Sequence, residues 1–368
     1  MAFSKVWLGS VDTNPNNAAN WLPISVRAPA YAWTASGLGT NEYYLRTSGG
    51  SNPGLAAPGK VLLDGASASS GTIGSLAAGT WAYGDNDTLG YSTLYVRLSD
   101  GADPDSKARD YVEIQQVPVA GDSVTIAGSA VRAMAGADFS GVAINAFHIE
   151  PGFRSFGIGD RDTPLRIDPD SFVSEGSGNT PWYIDIGSAT ITPTIRNCPT
   201  PSNGLAGLYL TGSAMGGVVH DAGSLAIAGL IGDTSTCTEM IVRGGQARLL
   251  VGAGVTWTTL RAYSGQIVLR SNGTTVHALG GQIETQLAMT LTTLNIEGAT
   301  VVDKSSGTFA AVNLDAGTYD TMQLPAAKTV STLQHNAGQF RENVDLLAIT
   351  TRDESDYAGI VERRRQSA

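Results

Sequence analysis

The sequence predicts an all-β protein in which a small antiparallel β-domain near the N-terminus is followed by a right-handed parallel β-helix, or β-solenoid. Composition is the first reason, since the 368 residues include 45 glycines and only 15% charged residues. Glycine combined with abundant Thr, Ser, Ala and Val suits short strands and turns better than helices. The other two reasons are a phrase repeated in the second half of the chain and a set of strand-like runs in the first third.

The repeated phrase occurs six times from residue 239 onward, as "EMIVRGGQA", "TTLRAYSGQI", "TTVHALGGQI", "TTLNIEGAT", "AAVNLDAGTY" and "STLQHNAGQF". Each copy has an aliphatic residue, then a glycine four or five positions later, and in most copies an apolar residue two positions after the glycine. The glycines are Gly245, Gly265, Gly281, Gly298, Gly317 and Gly338, the aliphatic residues are Ile241, Leu260, Val276, Leu294, Val312 and Leu333, and Thr300 is the exception at the third position. A short repeat of variable length with glycine corners is typical of a β-solenoid. An antiparallel sandwich with similar glycine turns is the alternative, although its strands would be longer.

Composition shifts divide the chain into four segments. Residues 1–30 form an Asn- and Trp-rich N-terminal segment. Residues 31–116 contain the runs "EYYLRT", "GKVLLDG", "GTWAYG", "STLYVRL" and "DYVEIQ", separated by Gly, Asn, Asp and Pro, and predict the small antiparallel β-domain. Residues 117–345 are assigned to the solenoid. Residues 346–368 drop the repeated phrase and end in mixed charge, which predicts a C-terminal arm or tail.

Charge and cysteine content exclude several functional classes. The net charge is −10 and the pI is about 4.8, which argues against a nucleic-acid partner because such binding needs Lys and Arg to neutralise phosphates. The one basic cluster, at residues 363–365, is interpreted as an exposed chain end. Cys198 and Cys237 lack the spacing of a zinc site or of a disulfide framework. Neither a signal peptide nor an apolar run long enough for a bilayer is recognised, so we expect a protein made in the cytoplasm without a membrane partner.

Five aspartates between residues 80 and 106 raise the question of a metal site. Asp85 and Asp87 begin like a calcium-binding EF-hand loop, but Val96 occupies the position at which such a loop needs a bidentate Glu. Calcium ligation is therefore considered only for the triplet Asp100, Asp103 and Asp105. Because aspartates cap turns more often than they cage metals, we expect turns at both ends of one strand and no cofactor, with Ca²⁺ as the single candidate ion.

Acidic residues in "IEPGFRSFGIGDRDTPLRIDPD" are the candidates for catalysis. A glycan hydrolase on a solenoid needs two carboxyl groups facing one groove. The acidic residues considered for it are Glu150, Asp160, Asp162, Asp168 and Asp170, and the first three are kept as candidates. The alternative is an acidic loop whose carboxylates pair with the arginines of the same stretch. Since none of the common catalytic motifs is present either, we expect a non-enzymatic protein without catalytic residues.

Two parts of the sequence resemble known protein classes. The pairing of "NAANWLP" with "VPVAGDSVTIA" looks like the start of many β-helical surface and virion proteins. The block "NEYYLRTSGGSNPG" to "GTWAYGDNDTLGYSTLYVRLSDGADPDS" is similar to a module of structural proteins from tailed bacteriophages and prophages. Together they cover about a third of the chain. The resemblance implies a virion component but transfers no catalytic residue.

Three functions follow from this resemblance. The first is a non-enzymatic structural protein of a phage virion, made in the host cytoplasm and displayed on the capsid or tail as a decoration or fibre protein. Its partners would be other virion proteins and two further copies of itself, since flat solenoid faces and virion symmetry suit a homotrimer. The second is a tailspike-like receptor-binding protein or polysaccharide depolymerase acting on a bacterial surface glycan. A bacterial cell-surface β-helix is the third, and the missing signal peptide weighs against it.

Overall fold

The computed structural model describes residues 3–27, 30–47, 49–50, 55–85, 89–107, 111–154, 156–188, 190–202, 206–228, 234–354 and 359–364. The chain is 51% strand and 2% helix, with a parallel β-solenoid of about 11 turns and a small antiparallel β-structure at the N-terminus. The predicted fold class is therefore confirmed. The chain divides into two compact units, Met1–Met134 and Ala135–Ala368.

The first unit consists of short strands and two 3₁₀ turns. Its strands are β1 (Ser4–Trp7), β2 (Ile24–Ser25), β3 (Tyr31–Ala35), β4 (Tyr43–Thr47), β5 (Lys60–Leu63), β6 (Ala66–Ser67), β7 (Ser69–Ser70), β8 (Thr80–Gly84), β9 (Thr93–Arg97), β10 (Val112–Gln115) and β11 (Ser123–Ile126), and its 3₁₀ helices are Ala18–Asn20 and Pro104–Ser106. Each of the five strand-like runs quoted above contains one of these strands.

Two sheets make up the antiparallel part of the first unit. One has the strand order β2–β10–β5–β6 and the other β3–β4–β9–β8–β7, and only the β7–β8 pairing is parallel. Their buried side chains form two apolar clusters, a larger one that includes Trp33, Leu45, Val61 and Leu94 and a smaller one around Tyr95. β2 precedes residue 31 but pairs with β10, so the antiparallel sheets begin inside the predicted N-terminal segment.

The Asn- and Trp-rich start of the chain is held by its own side chains. β1 pairs in parallel with β11. The rings of Trp7 and Trp21 are buried and meet edge to face, with centroids 5.4 Å apart. The Asn20 amide oxygen accepts hydrogen bonds from the backbone N–H groups of Val11 and Asp12 at 2.8 and 3.0 Å. The asparagines thus satisfy the backbone groups of a loop that packs around two tryptophans.

The second unit is built from strands alone in its described residues. They are β12 (Asp138–Ile144), β13 (Ala146–Ile149), β14 (Leu165–Pro169), β15 (Phe172–Ser174), β16 (Trp182–Asp185), β17 (Thr194–Ile195), β18 (Leu208–Thr211), β19 (Met215–His220), β20 (Gly223–Ile227), β21 (Thr236–Val242), β22 (Ala247–Val251), β23 (Thr256–Ala262), β24 (Gln266–Leu269), β25 (Gly273–Ala278), β26 (Gln282–Leu287), β27 (Leu291–Ser305), β28 (Phe309–Asp320), β29 (Lys328–His335), β30 (Gln339–Asn343), β31 (Leu347–Asp353) and β32 (Ile360–Arg364).

These strands follow one pairing rule. Up to β25, and again from β28, each strand pairs in parallel with the strand two further along, so one solenoid turn contains two strands. β27 and β28 each run through a corner without a break and pair with each other along most of their length. Alternate side chains point into the interior, as the burial of β24 and β25 shows. The backbone hydrogen bonds of each turn are therefore made with the turns before and after it.

Strand register corrects the alignment drawn from the repeated phrase. The first inward column is Met240, Leu260, Val276, Leu294, Val312 and Leu333, and the second is Leu249, Ile267, Ile283, Val301, Tyr319 and Phe340. Met240 replaces Ile241 because Met240 is the buried residue of that strand. In the fourth copy the register aligns Ala299, and not Gly298, with the corner glycines. The apparent exception at Thr300 then disappears, since Val301 fills the inward position.

Corner glycines are required where two turns approach each other closely. Gly265, Gly281, Gly317 and Gly338 all have positive φ values, between 78° and 90°. A Cβ atom on Gly281 would lie 2.5 Å from the carbonyl oxygen of Gly265 in the preceding turn. Both the backbone conformation and the lack of space therefore favour glycine at these corners.

The described part of residues 346–368 differs from the expected arm. β31 pairs with β29 and β32 pairs with β30, which adds one further turn to the solenoid. The mixed charge that suggested an arm lies on side chains that pair along the outer surface. Arg352 and Arg363 both bind the carboxylate of Glu342, the latter with an Nε–Oε2 distance of 3.0 Å. Arg365 lies outside the described residues.

Candidate functional site

The carboxylates of the three candidate calcium ligands accept hydrogen bonds from three different backbone N–H groups. Asp100 accepts a hydrogen bond from the Ala102 N–H and forms an ion pair with Lys107. Asp103 caps the second 3₁₀ helix by accepting from the N–H of Asp105 at 2.9 Å. The Asp105 carboxylate accepts from the N–H of Trp33 at 2.9 Å. Two of these carboxylates therefore bind within the segment that follows β9, and the third binds the backbone of β3.

Electrostatics around this loop fit the same role. The hydrogen bond from Lys107 lowers the pKa of the Asp100 carboxyl below its usual value. Asp87 lies outside the described residues. Over the ranges that the structure describes, no group of three or more His, Cys, Asp or Glu side chains is placed to hold a metal ion.

The three candidate catalytic residues lie in the segment between β13 and β14. Asp160 accepts hydrogen bonds from the Asp162 N–H at 2.9 Å and from the backbone and hydroxyl of Thr163, both at 2.7 Å. The hydroxyl bond is the main reason that the pKa of Asp160 lies below its usual value. Glu150 directly follows β13, where its carbonyl accepts from the Phe153 N–H. Asp162 lines a cavity.

That cavity brings together two carboxylates and an arginine. Its volume is 340 Å³, and Asp138, Asp162 and Arg166 supply its charged groups. Asp138 was missed by the sequence analysis because it lies one solenoid turn before Asp162. The register that pairs Asp138 with Arg166 is the signal that places it there. The Ser140 hydroxyl donates to the Asp138 carboxyl and is the main cause of its lowered pKa.

A second cavity of 330 Å³ adjoins the first and shares Arg166 with it. Asp185 lies across from this arginine, with an Nε–Oδ2 distance of 3.5 Å. The remaining lining is rich in hydroxyl groups, contributed by Ser140, Ser188, Thr211, Ser213 and Thr234. Together the two cavities form a polar groove on the second unit.

Two tyrosines extend the outer surface beside this groove. Tyr183 and Tyr209 are register partners on β16 and β18, and their rings stack with centroids 4.8 Å apart and an interplanar angle of 7°. Side chains alternate along β16, where Trp182 and Ile184 are buried. Tyr183 and Asp185 therefore point outward. We call the two cavities and the two stacked tyrosines the Tyr183 groove.

The Tyr183 groove combines aromatic, cationic and hydroxyl groups. Stacked aromatic faces, an arginine and a row of hydroxyl groups are the contacts with which proteins hold sugar rings. A glycosidase also needs a general acid whose pKa is raised. The pKa values of Asp138 and Asp160 are lowered instead. In both cases the lowered pKa comes first from a hydrogen bond donated by a neighbouring hydroxyl group, that of Ser140 for Asp138 and that of Thr163 for Asp160.

The histidines and cysteines take structural positions. His148 contacts Glu175 at 2.8 Å, and Arg196 from the next turn contacts the other oxygen of the same carboxylate at 2.6 Å. The Glu175 carboxylate thereby links side chains of three successive turns. Cys198 and Cys237 are free and buried, and burial raises the pKa of both thiols.

Outward-facing residues without Asp, Glu, Lys or Arg run along one face of later turns, where Nδ1 of His277 lies 3.6 Å from Oε1 of Glu297. They form two outward columns in register, Thr275, Thr293, Ala311 and Thr332 in one and His277, Asn295, Asn313 and Gln334 in the other. The Asn313 amide donates to the Asn295 side-chain oxygen at 2.8 Å, and the Asn295 amide lies 3.4 Å from Nδ1 of His277. We call these eight residues the amide face.

Comparison with known proteins adds no assignment. No protein-family model, curated protein or solved structure matches the chain. Among the described residues, no helix is long and apolar enough to cross a membrane.

Proposed function

We propose that this chain is a non-enzymatic structural protein of a tailed-phage virion, displayed on the capsid or the tail. The observation that carries the proposal is the unbroken parallel stack from β12 to β32. Such a stack is stiff because the backbone groups of each turn are hydrogen-bonded to its neighbours. A stiff spacer with side-chain ladders along its surface suits a particle component.

The phage setting is supported by the resemblance of the N-terminal sequence blocks to virion modules. The strands within those blocks form the sheets of the first unit. In this proposal the first unit docks on the particle and the solenoid is displayed. The direct test is mass spectrometry of purified particles from a host that carries the gene. A decoration or fibre protein is expected in many copies per particle, and absence from purified particles would contradict the proposal.

The amide face is the surface that we propose for homotrimer contacts. None of its eight residues is Asp, Glu, Lys or Arg, and three of the four residues in its first column are threonines. Removal of uncharged side chains from water avoids the desolvation penalty of buried charges. Neighbouring surfaces of the same turns carry ion pairs, such as Lys304 with Glu284 at 2.8 Å. Three copies related by a threefold axis would bury three equivalent faces.

Two variants of one strand test this contact. Thr293 lies on the amide face, whereas Thr300 is exposed on the next face of the same strand, β27. We expect wild-type protein to have the mass of a trimer by size-exclusion chromatography with light scattering. Thr293→Arg is expected to give monomers, and Thr300→Arg is expected to remain trimeric. A monomeric wild type, or a trimeric Thr293→Arg, would contradict the proposed interface.

The second candidate is a tailspike-like protein that recognises a bacterial surface glycan. The specific observation in its favour is the Tyr183 groove, with its stacked rings beside Arg166 and a row of hydroxyls. We expect any glycan bound there to lose most of its affinity in Tyr209→Ala, while Tyr263→Ala, which removes an exposed tyrosine of a later turn, has no effect. A panel of purified bacterial polysaccharides is the probe. Release of new reducing ends would turn this candidate into a depolymerase.

A further inference from the structure

A lysine and an aspartate are in contact in the buried interior of the second unit. Asp303 lies on β27 and Lys328 begins β29. The Lys328 Nζ atom lies 2.7 Å from Oδ2 and 3.0 Å from Oδ1 of Asp303. Both side chains have 0% exposure to solvent. An ion pair in such a place loses the hydration of both charges.

Every neighbour of this pair is also buried. Thr285 and Ser305 donate to Oδ1 of Asp303 at 2.7 and 2.8 Å, and the Tyr319 hydroxyl donates to Oδ2 at 2.8 Å. The Lys328 Nζ atom lies 3.1 Å from the centroid of the Phe309 ring. The lysine is thus held against the carboxyl group by an aromatic face, and donors surround both carboxyl oxygens.

Burial changes the proton affinity of the lysine. It lowers the pKa of Lys328 to about 8, against the raising effect of Asp303. A neutral amine, the nucleophilic form of lysine, is therefore accessible close to neutral pH. In the proposed reaction the ammonium proton moves to the carboxylate, and the uncharged amine and acid carry a smaller burial penalty than the ion pair.

We propose that Lys328 and Asp303 condense to form an intramolecular isopeptide bond. The Nζ atom of the neutral amine attacks Cγ of the neutral carboxylic acid. A C–N bond forms, the C–OH bond breaks, and the hydroxyl leaves with a proton of the amine as one water molecule. The product is a secondary amide, and no oxidant, reductant or co-reactant is needed.

The surrounding groups favour this reaction. The fold holds nucleophile and electrophile in contact, which replaces a bimolecular encounter by an intramolecular one. The hydroxyls of Thr285 and Tyr319 already point at the carboxyl oxygens, where negative charge develops during attack. The amide also removes both charges from the interior and so removes their desolvation penalty. The resulting link would tie β27 to β29 covalently across neighbouring turns.

A second buried pair in the first unit provides a comparison. Lys5 Nζ lies 3.7 Å from Asp122 Oδ2, and it donates to the Gln116 side chain at 2.8 Å instead. Both oxygens of Asp122 accept from backbone N–H groups, those of Phe3 and Val119. The longer distance and the amide partner keep this lysine from the carboxyl carbon. We therefore expect a covalent link at Lys328 and none at Lys5.

Mass spectrometry of the purified full chain tests the proposal directly. We expect the denatured protein to be lighter than its sequence by the mass of one water molecule. After protease digestion, a branched peptide should join the segments that contain Asp303 and Lys328. An intact mass equal to that of the sequence, with both segments recovered as separate linear peptides, would overturn the proposal without any variant.

Two substitutions separate the isopeptide from other losses of water, such as succinimide formation at an aspartate. Lys328→Arg keeps the positive charge but offers no amine, so the water loss should vanish. Lys304→Arg, at the neighbouring exposed ion pair with Glu284, should retain it. A water loss that persists in Lys328→Arg would mean that the link does not involve Lys328. If Lys328→Arg folds poorly, the branched peptide of the wild-type protein still identifies the two linked residues.

Discussion

Lys5 and Asp122 form an ion pair with an Nζ–Oδ2 distance of 3.7 Å, and both side chains have 0% exposure. Burial lowers the pKa of Lys5 to about 8, although Asp122 raises it in part. The folded chain therefore releases this proton near pH 8, and the unfolded chain only near the ordinary lysine value of 10.5. Between these values the unfolded chain binds more protons, so stability rises with pH.

The first prediction is a rise in the free energy of unfolding between pH 8 and 10, on the order of 1–3 kcal/mol for this lysine. Above pH 10 the trend reverses, because burial raises the pKa of Tyr31 and Tyr95 to about 12. The unfolded chain then loses tyrosine protons that the folded chain retains. Denaturant titrations at several pH values measure the curve. A rise of the same size in Lys5→Met would show that Lys5 is not its source.

The second prediction concerns the corner glycines. Gly281→Ala should destabilise the second unit by about 1–3 kcal/mol or more, because alanine is strained at positive φ and its Cβ meets the Gly265 carbonyl oxygen. Gly254 also has a positive φ, but a Cβ atom there would meet open space. Gly254→Ala therefore measures the cost of the backbone conformation without a steric clash. Gly245→Ala, with open space and no positive φ, should be nearly neutral. Thermal unfolding of the three variants gives the ranking, and equal losses in all three would contradict it.

The third prediction uses the two buried thiols as reporters. Burial raises the pKa of Cys237 to about 12 and that of Cys198 further still, so neither is a thiolate at neutral pH. The folded protein should react with a thiol reagent only as fast as it opens. Labelling followed over time in native buffer and in denaturant measures this difference. Rapid labelling of the native protein would mean that these strands open without global unfolding.

The fourth prediction concerns the last solenoid turn. Removal of residues 346–368 leaves β29 and β30 without their outer partners and takes Arg352 and Arg363 from Glu342. We expect a lower melting temperature and self-association through the newly exposed strand edges. A chain that ends at residue 364 is the control and should behave as wild type. Unchanged melting and light scattering in the longer truncation would show that this turn adds no stability.

Much of the fold was predictable because a solenoid repeats the same physical requirements in every turn. Glycine corners and inward aliphatic residues recur in the sequence, and the strand runs of the first unit are bounded by turn residues. The alignment failed where another residue replaces the repeated one. Ala299 occupies a corner position beside Gly298, and only hydrogen-bond register separates the two.

The candidate site was less predictable because it depends on contacts between turns. Tyr209 lies in an apolar strand and joins the candidate site only because strand register pairs it with Tyr183. Asp138 reaches the cavity of Asp162 through register with Arg166. Spacing along the chain varies from turn to turn, so the sequence alone does not give these partners. The turn positions of Asp100 and Asp103 were easier to predict from the sequence, since a turn is a local structure.

The pairing of each strand with the strand two positions along has a consequence for how such a protein changes during evolution. A segment of one full turn begins and ends at equivalent corners, for instance at Gly265 and Gly281. Duplication or loss of that segment in the gene would preserve the contacts between the remaining adjacent turns, because a turn contacts only its immediate neighbours. The length of the solenoid can therefore be adjusted in steps of about 4.8 Å, the spacing of hydrogen-bonded strands, without redesign of the interior.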